Sequence, residues 1–262
     1  MLNFEIQKAR FDRICQDAMR QRHVSGESGV GTLKEKRLHA AIKRYLCADE
    51  EFHEVGITGT RYVSDVRIGN DAYEVQTGAF SPMRQKIAYY LEHTDLTVTV
   101  VHPISVIKWM CKINTKTGDV SPRRRVPRSQ RREDLLAELY SLRPFLGHPR
   151  LKFRLLLLET QDFRLVKTTA STKKARGTNY ERVPIALLGD EMFECAADFR
   201  SLIPPDLPHT FTVKQLAAAT KLPSRDAYSA AHVLCDLGLT VPAPPVGKAM
   251  AFTVCATCSA AP

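Results

Sequence analysis

No stretch of this sequence approaches the roughly 18 consecutive apolar residues that a membrane helix needs, and its uninterrupted apolar runs are all short. No membrane partner is therefore expected. The opening residues, MLNFEIQKARFDR, are charged and amphipathic and lack the apolar run and small-residue cleavage site of a secretory signal. Cysteine is sparse, odd in number (seven) and scattered, which argues against a disulfide framework and for buried thiols in a reducing, cytoplasmic setting. Cys255-Ala-Thr-Cys258 is a lone CxxC with neither a second pair nor spaced histidines to complete a zinc site. Gly26, Gly29 and Gly31 are not followed by the Lys-Ser/Thr of a phosphate-binding loop. No Ser, His or Cys stands in a nucleophile elbow.

What is present is an ordinary globular composition, 44% hydrophobic and 25% charged over 262 residues. That is enough for one large domain or two of usual size. Net charge is +10, and its distribution is uneven. Sixteen Lys or Arg against six Asp or Glu lie between Ser121 and Pro184, so this stretch carries the whole excess and the remaining chain is neutral. A localised positive zone is the footprint of phosphate-backbone binding; the competing reading is a solvated or disordered basic arm.

The apolar spacing of residues 3–22 predicts a helix with Phe4, Phe11, Ile14 and Ala18 on one face. A Gly/Ser-rich break, residues 25–31, follows. Thr32 and Glu35 have the spacing of a capping box before a helix over 33–46, with Leu38, Ala41, Ile42 and Tyr45 as its apolar stripe. Residues 52–58, 61–68 and 72–76 read as a hairpin or meander of strands turning at Gly69-Asn70-Asp71. Ser81 and Pro82 open a helix to Leu91, and strands follow at 96–101 and 105–112. The order helix, three strands, helix, strand predicts a mixed α/β fold. Further on, 133–140 reads as a helix, 152–158 and 163–166 as a strand pair, and 167–183 as a loop. After Pro204-Pro205-Asp206-Leu207-Pro208, helices at 213–220 and 225–237 and a strand at 250–254 suggest a winged helix-turn-helix. The domains expected are 1–30 (helix and loop), 31–115 (core), 116–203 (basic extension) and 209–256 (winged helix).

The densest chemical signal is Asp65 on one strand and Glu74-x-Gln76 on the next, across a short turn. Side chains alternate along a strand, so Glu74 and Gln76 share a face. An Asp, a Glu and an amide aimed to one side suit Mg²⁺, which takes one or two carboxylates plus water and can activate water against a phosphate. The competing reading is an ordinary exposed hairpin face.

Asp65, a turn, Glu74-x-Gln76 and a preceding helix bearing Glu35 resemble the PD-(D/E)XK nuclease superfamily, nearest its Holliday-junction-resolvase-like and CoiA-like branches. The resemblance covers about residues 30 to 112. It implies a restriction-endonuclease-like core, with Asp65 and Glu74 as ligands of Mg²⁺ or Mn²⁺ and Glu35 as the helix-borne acid. His39, one helical turn later, is a further candidate, whose plainer reading is a surface residue. The family pattern has Lys where this chain has Gln76; in some members the lysine comes from the following helix, which makes Lys86 the candidate and Arg84 the second. On this reading Arg123, Arg124, Arg125, Arg128, Arg131, Arg132, Lys173, Lys174 and Arg176 hold a nucleic-acid backbone, DNA in preference to RNA. Two rival readings stand beside it. One is a DNA-binding protein that does not cut, favoured by Gln76; the other is an adaptor whose winged helix docks a protein. A homodimer is a further expectation from the resemblance.

Overall fold

The computed structural model describes residues 2–20, 36–127, 129–166 and 177–255. The protein is mixed α/β. Helices α1 (Leu2–Arg20) and α2 (Arg37–Leu46) precede strands β1 (His53–Gly56), β2 (Val63–Ile68) and β3 (Asp71–Val75). Helix α3 (Arg84–His93) leads to β4 (Thr97–Asn114), followed by β5 (Arg124–Arg125), α4 (Asp134–Leu139), β6 (Leu151–Val166) and β7 (Thr178–Phe193). The chain ends with β8 (Thr210–Thr212), α5 (Val213–Thr220), α6 (Ser224–Asp236), β9 (Thr240–Val246) and β10 (Ala249–Val254). One sheet has the order β1-β2-β3-β4-β6-β7, with β5 on β4; a second has the order β8-β10-β9. No helix of the described residues is long and apolar enough to cross a membrane.

Two compact units are interleaved along the chain. The first takes Met1–His53, Pro103–Gln130 and Leu156–Asp190; the second takes Glu54–His102, Arg131–Leu155 and Glu191–Pro262. Neither coincides with the consecutive segments read from the sequence, because β4, β6 and β7 each contribute residues to both.

In the first unit α1 buries Phe11, Cys15 and Ala18, and α2 buries Leu38, Ala41, Ile42 and Tyr45. Phe11 and Tyr45 meet edge to face, with centroids 5.0 Å apart. Ala18 clusters with Cys111, Phe163 and Val183. Asp162, buried, is held by Lys108 at 2.7 Å and Arg182 at 2.7 Å. Burial alone would raise its pKa, but these two cations pull it below the ordinary carboxylate range.

In the second unit β2 and β3 form the expected hairpin, with Gly69 at φ 59, a left-handed turn position that suits glycine. β3 pairs parallel to β4, and a parallel pair needs a crossover, which α3 supplies. Ile87, Tyr90 and Leu91 are the buried side of α3. Arg150 binds its C-terminal end, donating to the carbonyls of Leu91, Thr94 and Leu96, which places a cation where the helix dipole is negative. Phe80, Phe153, Phe199 and Phe193 make a continuous aromatic row. α4 packs on α6 and α6 on α5, and Phe211 of β8 stacks on Phe252 of β10.

Several boundaries differ from expectation. Thr32 and Glu35 lie outside the described residues. The strands expected at 96–101 and 105–112 are one: β4 runs through Pro103, with backbone bonds on either side of it, from Gln76 to the Val101 carbonyl and from Gln130 to the Ser105 carbonyl. The pair expected at 152–158 and 163–166 is likewise one strand, β6. Residues 178–183, expected in a loop, begin β7, where the buried Val183 and Leu187 tie them to the core.

Candidate active site

The hairpin brings the two carboxylates together. Val66 pairs with Tyr73, so the next residues outward, Asp65 and Glu74, oppose one another on one face. Asp65 Oδ2 accepts a hydrogen bond from the Val75 backbone N–H at 2.7 Å, which ties its side chain across the hairpin. Glu74 is 3% exposed, and its two oxygens are both engaged from α3. Oε1 accepts from the Tyr90 hydroxyl at 2.9 Å, and Oε2 accepts from Lys86 Nζ. Lys86 also donates to the Val63 carbonyl at 2.6 Å. Lys86 and Tyr90 are four residues apart and therefore on one side of the helix.

Burial is the largest influence on Glu74. It pushes the carboxyl up to about 7 against the opposing pull of the Lys86 ammonium, and the neighbouring Asp65 adds to the rise. Burial and the same carboxylates push the Tyr90 hydroxyl up, keeping it a hydrogen-bond donor. A buried carboxyl raised by burial, with a cationic partner and a second acid opposite, is found in functional sites and in structural ion-pair networks alike. The oxygen donors of this cluster are of the hard type that Mg²⁺ and Mn²⁺ accept, while both Glu74 oxygens are engaged by Lys86 and Tyr90 and Asp65 Oδ2 by the Val75 N–H. Among the described residues no group of three or more His, Cys, Asp or Glu could hold a metal; water and phosphate oxygens would complete the shell.

Gln76 was expected on the face of Glu74 by strand alternation. β3 ends at Val75; Gln76 still donates from its backbone to the Val101 carbonyl, and its side-chain amide donates to the Ala79 carbonyl. Its own carbonyl accepts from His102 Nδ1 at 2.6 Å. His102 is buried, and burial pushes its imidazole down to about 4. Lys86 therefore stands beside Glu74 and Gln76 beside His102. Arg84, exposed, is the first residue of α3. His39 is half-buried on α2, in the first unit.

The basic residues have different fates. Arg124 and Arg125 form the exposed β5. The Arg123 guanidinium lies over the Trp109 ring, 4.6 Å from its centroid, and Trp109 donates to Glu159 at 2.6 Å. Arg131 is exposed, whereas Arg132 is committed to Glu191 and, at 3.2 Å, to the Ser201 hydroxyl. Glu35, Arg128, Lys173, Lys174 and Arg176 lie outside the described residues.

Sequence reasoning missed Tyr90 and His102. The signal for Tyr90 was its spacing from Lys86; as one more large residue on an apolar helix face it reads as core. His102 interrupts a β-branched strand, the kind of lone histidine whose partner only the fold reveals.

Residues 36–194 match the model of a family described as a domain of unknown function, DUF8091. The match spans more than half of the chain, which belongs to that family. No curated protein and no solved structure matches the chain.

Proposed function

We propose that the protein is a metal-dependent nuclease that hydrolyses phosphodiester bonds of DNA, built on a PD-(D/E)XK-like core. The observation that carries this reading is Lys86, hydrogen-bonded to Glu74 from α3 and replacing the lysine absent at position 76. The order α2-β1-β2-β3-α3-β4, with an antiparallel β2–β3 pair and a parallel β3–β4 pair, supports it.

Asp65 and Glu74 would hold Mg²⁺ or Mn²⁺, which supplies a Lewis acid for a phosphate oxygen and acidifies water at neutral pH. Tyr90 and Lys86 orient the Glu74 carboxylate. The Lys86 ammonium is the preorganised positive charge for the negative charge that accumulates on phosphorus oxygens in the transition state. Gln76, its amide nitrogen committed to Ala79, offers its amide oxygen to a water. Arg123, Arg124, Arg125 and Arg131 contact the backbone and position the strand. We assign α4, β8, α5, α6 and the β9–β10 hairpin to a winged helix; the sheet order β8-β10-β9 supports that assignment. Its α6 presents Arg225 and Tyr228 to solvent.

Labelled duplex, single-stranded and branched DNA, incubated with Mg²⁺, Mn²⁺ or EDTA, tests this. Cleavage should require metal and fall by about a hundredfold or more in Asp65→Ala and Glu74→Ala, as expected when a charge-stabilising group is removed. A second reading, DNA binding without cleavage, is favoured by one observation: both Glu74 oxygens are already engaged by Lys86 and Tyr90. It predicts metal-independent binding that the two variants leave unchanged.

A further inference from the structure

On another side of α3 lies a cavity of about 480 Å³, lined by Arg84, Tyr140, Arg143, Pro144 and Asp236. Arg143 donates through Nε and Nη2 to the two oxygens of Asp236, Nη2 at 2.9 Å, so the charges of this pair cancel. The same guanidinium sits 5.0 Å from the Tyr140 centroid. Tyr140 nevertheless remains 38% exposed, and Pro144 is exposed beside it. Arg84 is the surplus charge: among the described residues it makes no ion pair. The cavity thus offers an aromatic ring and a proline for a flat apolar body, and one uncommitted guanidinium for one negative charge.

We propose that this cavity binds one unpaired nucleotide of a nucleic-acid strand, its base against Tyr140 and Pro144 and its phosphate on Arg84. Its volume is in the range of small-ligand sites. Base–aromatic stacking tolerates any base and requires that the base be free of a duplex, while guanidinium suits phosphate. Arg84 precedes Lys86 by two residues, about 200° around the helix. The nucleotide held here is therefore a different one from that whose phosphodiester meets Glu74. The proposal rests on the nucleic-acid reading above and deepens it: the substrate carries a single-stranded segment, as in a flap, gap or branch.

The test is equilibrium binding of the full chain to a fluorescein-labelled oligothymidylate and to a fully paired duplex, in EDTA so that cleavage plays no part. Tyr140→Ala and Arg84→Gln should each weaken oligothymidylate binding by about tenfold, the scale of one stacked base, and change duplex binding less than about twofold. Tyr140→Phe, which keeps the ring, should bind as the parent does and controls for folding. Unchanged single-strand affinity in both variants, or equal losses on duplex, would overturn the pocket and leave the nuclease reading standing. Pocket-dependent binding by a protein that never cleaves would support the pocket and sink the nuclease.

Discussion

Residue chemistry is most sharply drawn at His102. Its Nδ1 donates to the Gln76 carbonyl, which assigns the proton to that nitrogen and leaves the ring neutral. Burial lowers its pKa to about 4 from an ordinary 6.5. A histidine with a depressed folded-state pKa contributes stability that is complete above the unfolded value and lost as pH falls from about 6.5 through 4. The shift corresponds to about 3 kcal/mol at the acid end. Urea denaturation of the parent and His102→Gln between pH 7.5 and 4.5 should show the parent losing stability more steeply; parallel curves would contradict this. Asp65 and Glu74 stand out in the sequence as acids in otherwise apolar strands; Lys86 came only from the family resemblance, and its contact with Glu74 is given by the packing of α3 on the hairpin. Gln76 stands one residue beyond the end of β3, where its backbone N–H still bonds the Val101 carbonyl and its side-chain amide donates to the Ala79 carbonyl, contacts that strand alternation alone does not give.

Among the elements, α5 has the bounds expected from the sequence, and the structure shows what fixes its start. The Thr212 hydroxyl accepts from the Gln215 N–H, and the Gln215 side chain accepts from the Thr212 N–H. This capping box satisfies two donors that the helix leaves open. Thr212→Ala should cost about 1 kcal/mol, measured by thermal unfolding, while Lys221→Gly, at a left-handed φ of 62, should be neutral or slightly stabilising. The long strands were hidden because the features that break a pattern in sequence are absorbed by position. Residues 240–246 are rich in proline (Pro242, Pro244 and Pro245) and carry no strand signal, yet they form β9 at the edge of its sheet, where a missing N–H is tolerated.

For the whole molecule, the interleaving of two units through β4, β6 and β7 is what no local pattern could announce. Long-range pairing fixes it, and the helix–strand order alone gave only the mixed α/β class. The uneven charge remains the broadest functional clue. If the exposed arginines of β5 and Arg123 each neutralise a phosphate, replacing Arg123, Arg124 and Arg125 with Ala should reduce the slope of log affinity against log salt by about 2 to 3. Arg132→Ala should leave that slope nearly unchanged, since its guanidinium is already spoken for by Glu191.

In the proposed function Asp65, Glu74 and Lys86 form one metal-dependent hydrolytic site. Its most direct measurement is the single-turnover cleavage rate of labelled branched DNA with Mn²⁺, for the parent, Glu74→Gln and Lys86→Met, each checked for a folded far-ultraviolet spectrum. A hydrolytic site requires cleavage by the parent, abolished by EDTA, and a loss of about a hundredfold or more in both folded variants. Cleavage that survives both substitutions, or DNA bound tightly and left intact by the parent, would contradict it.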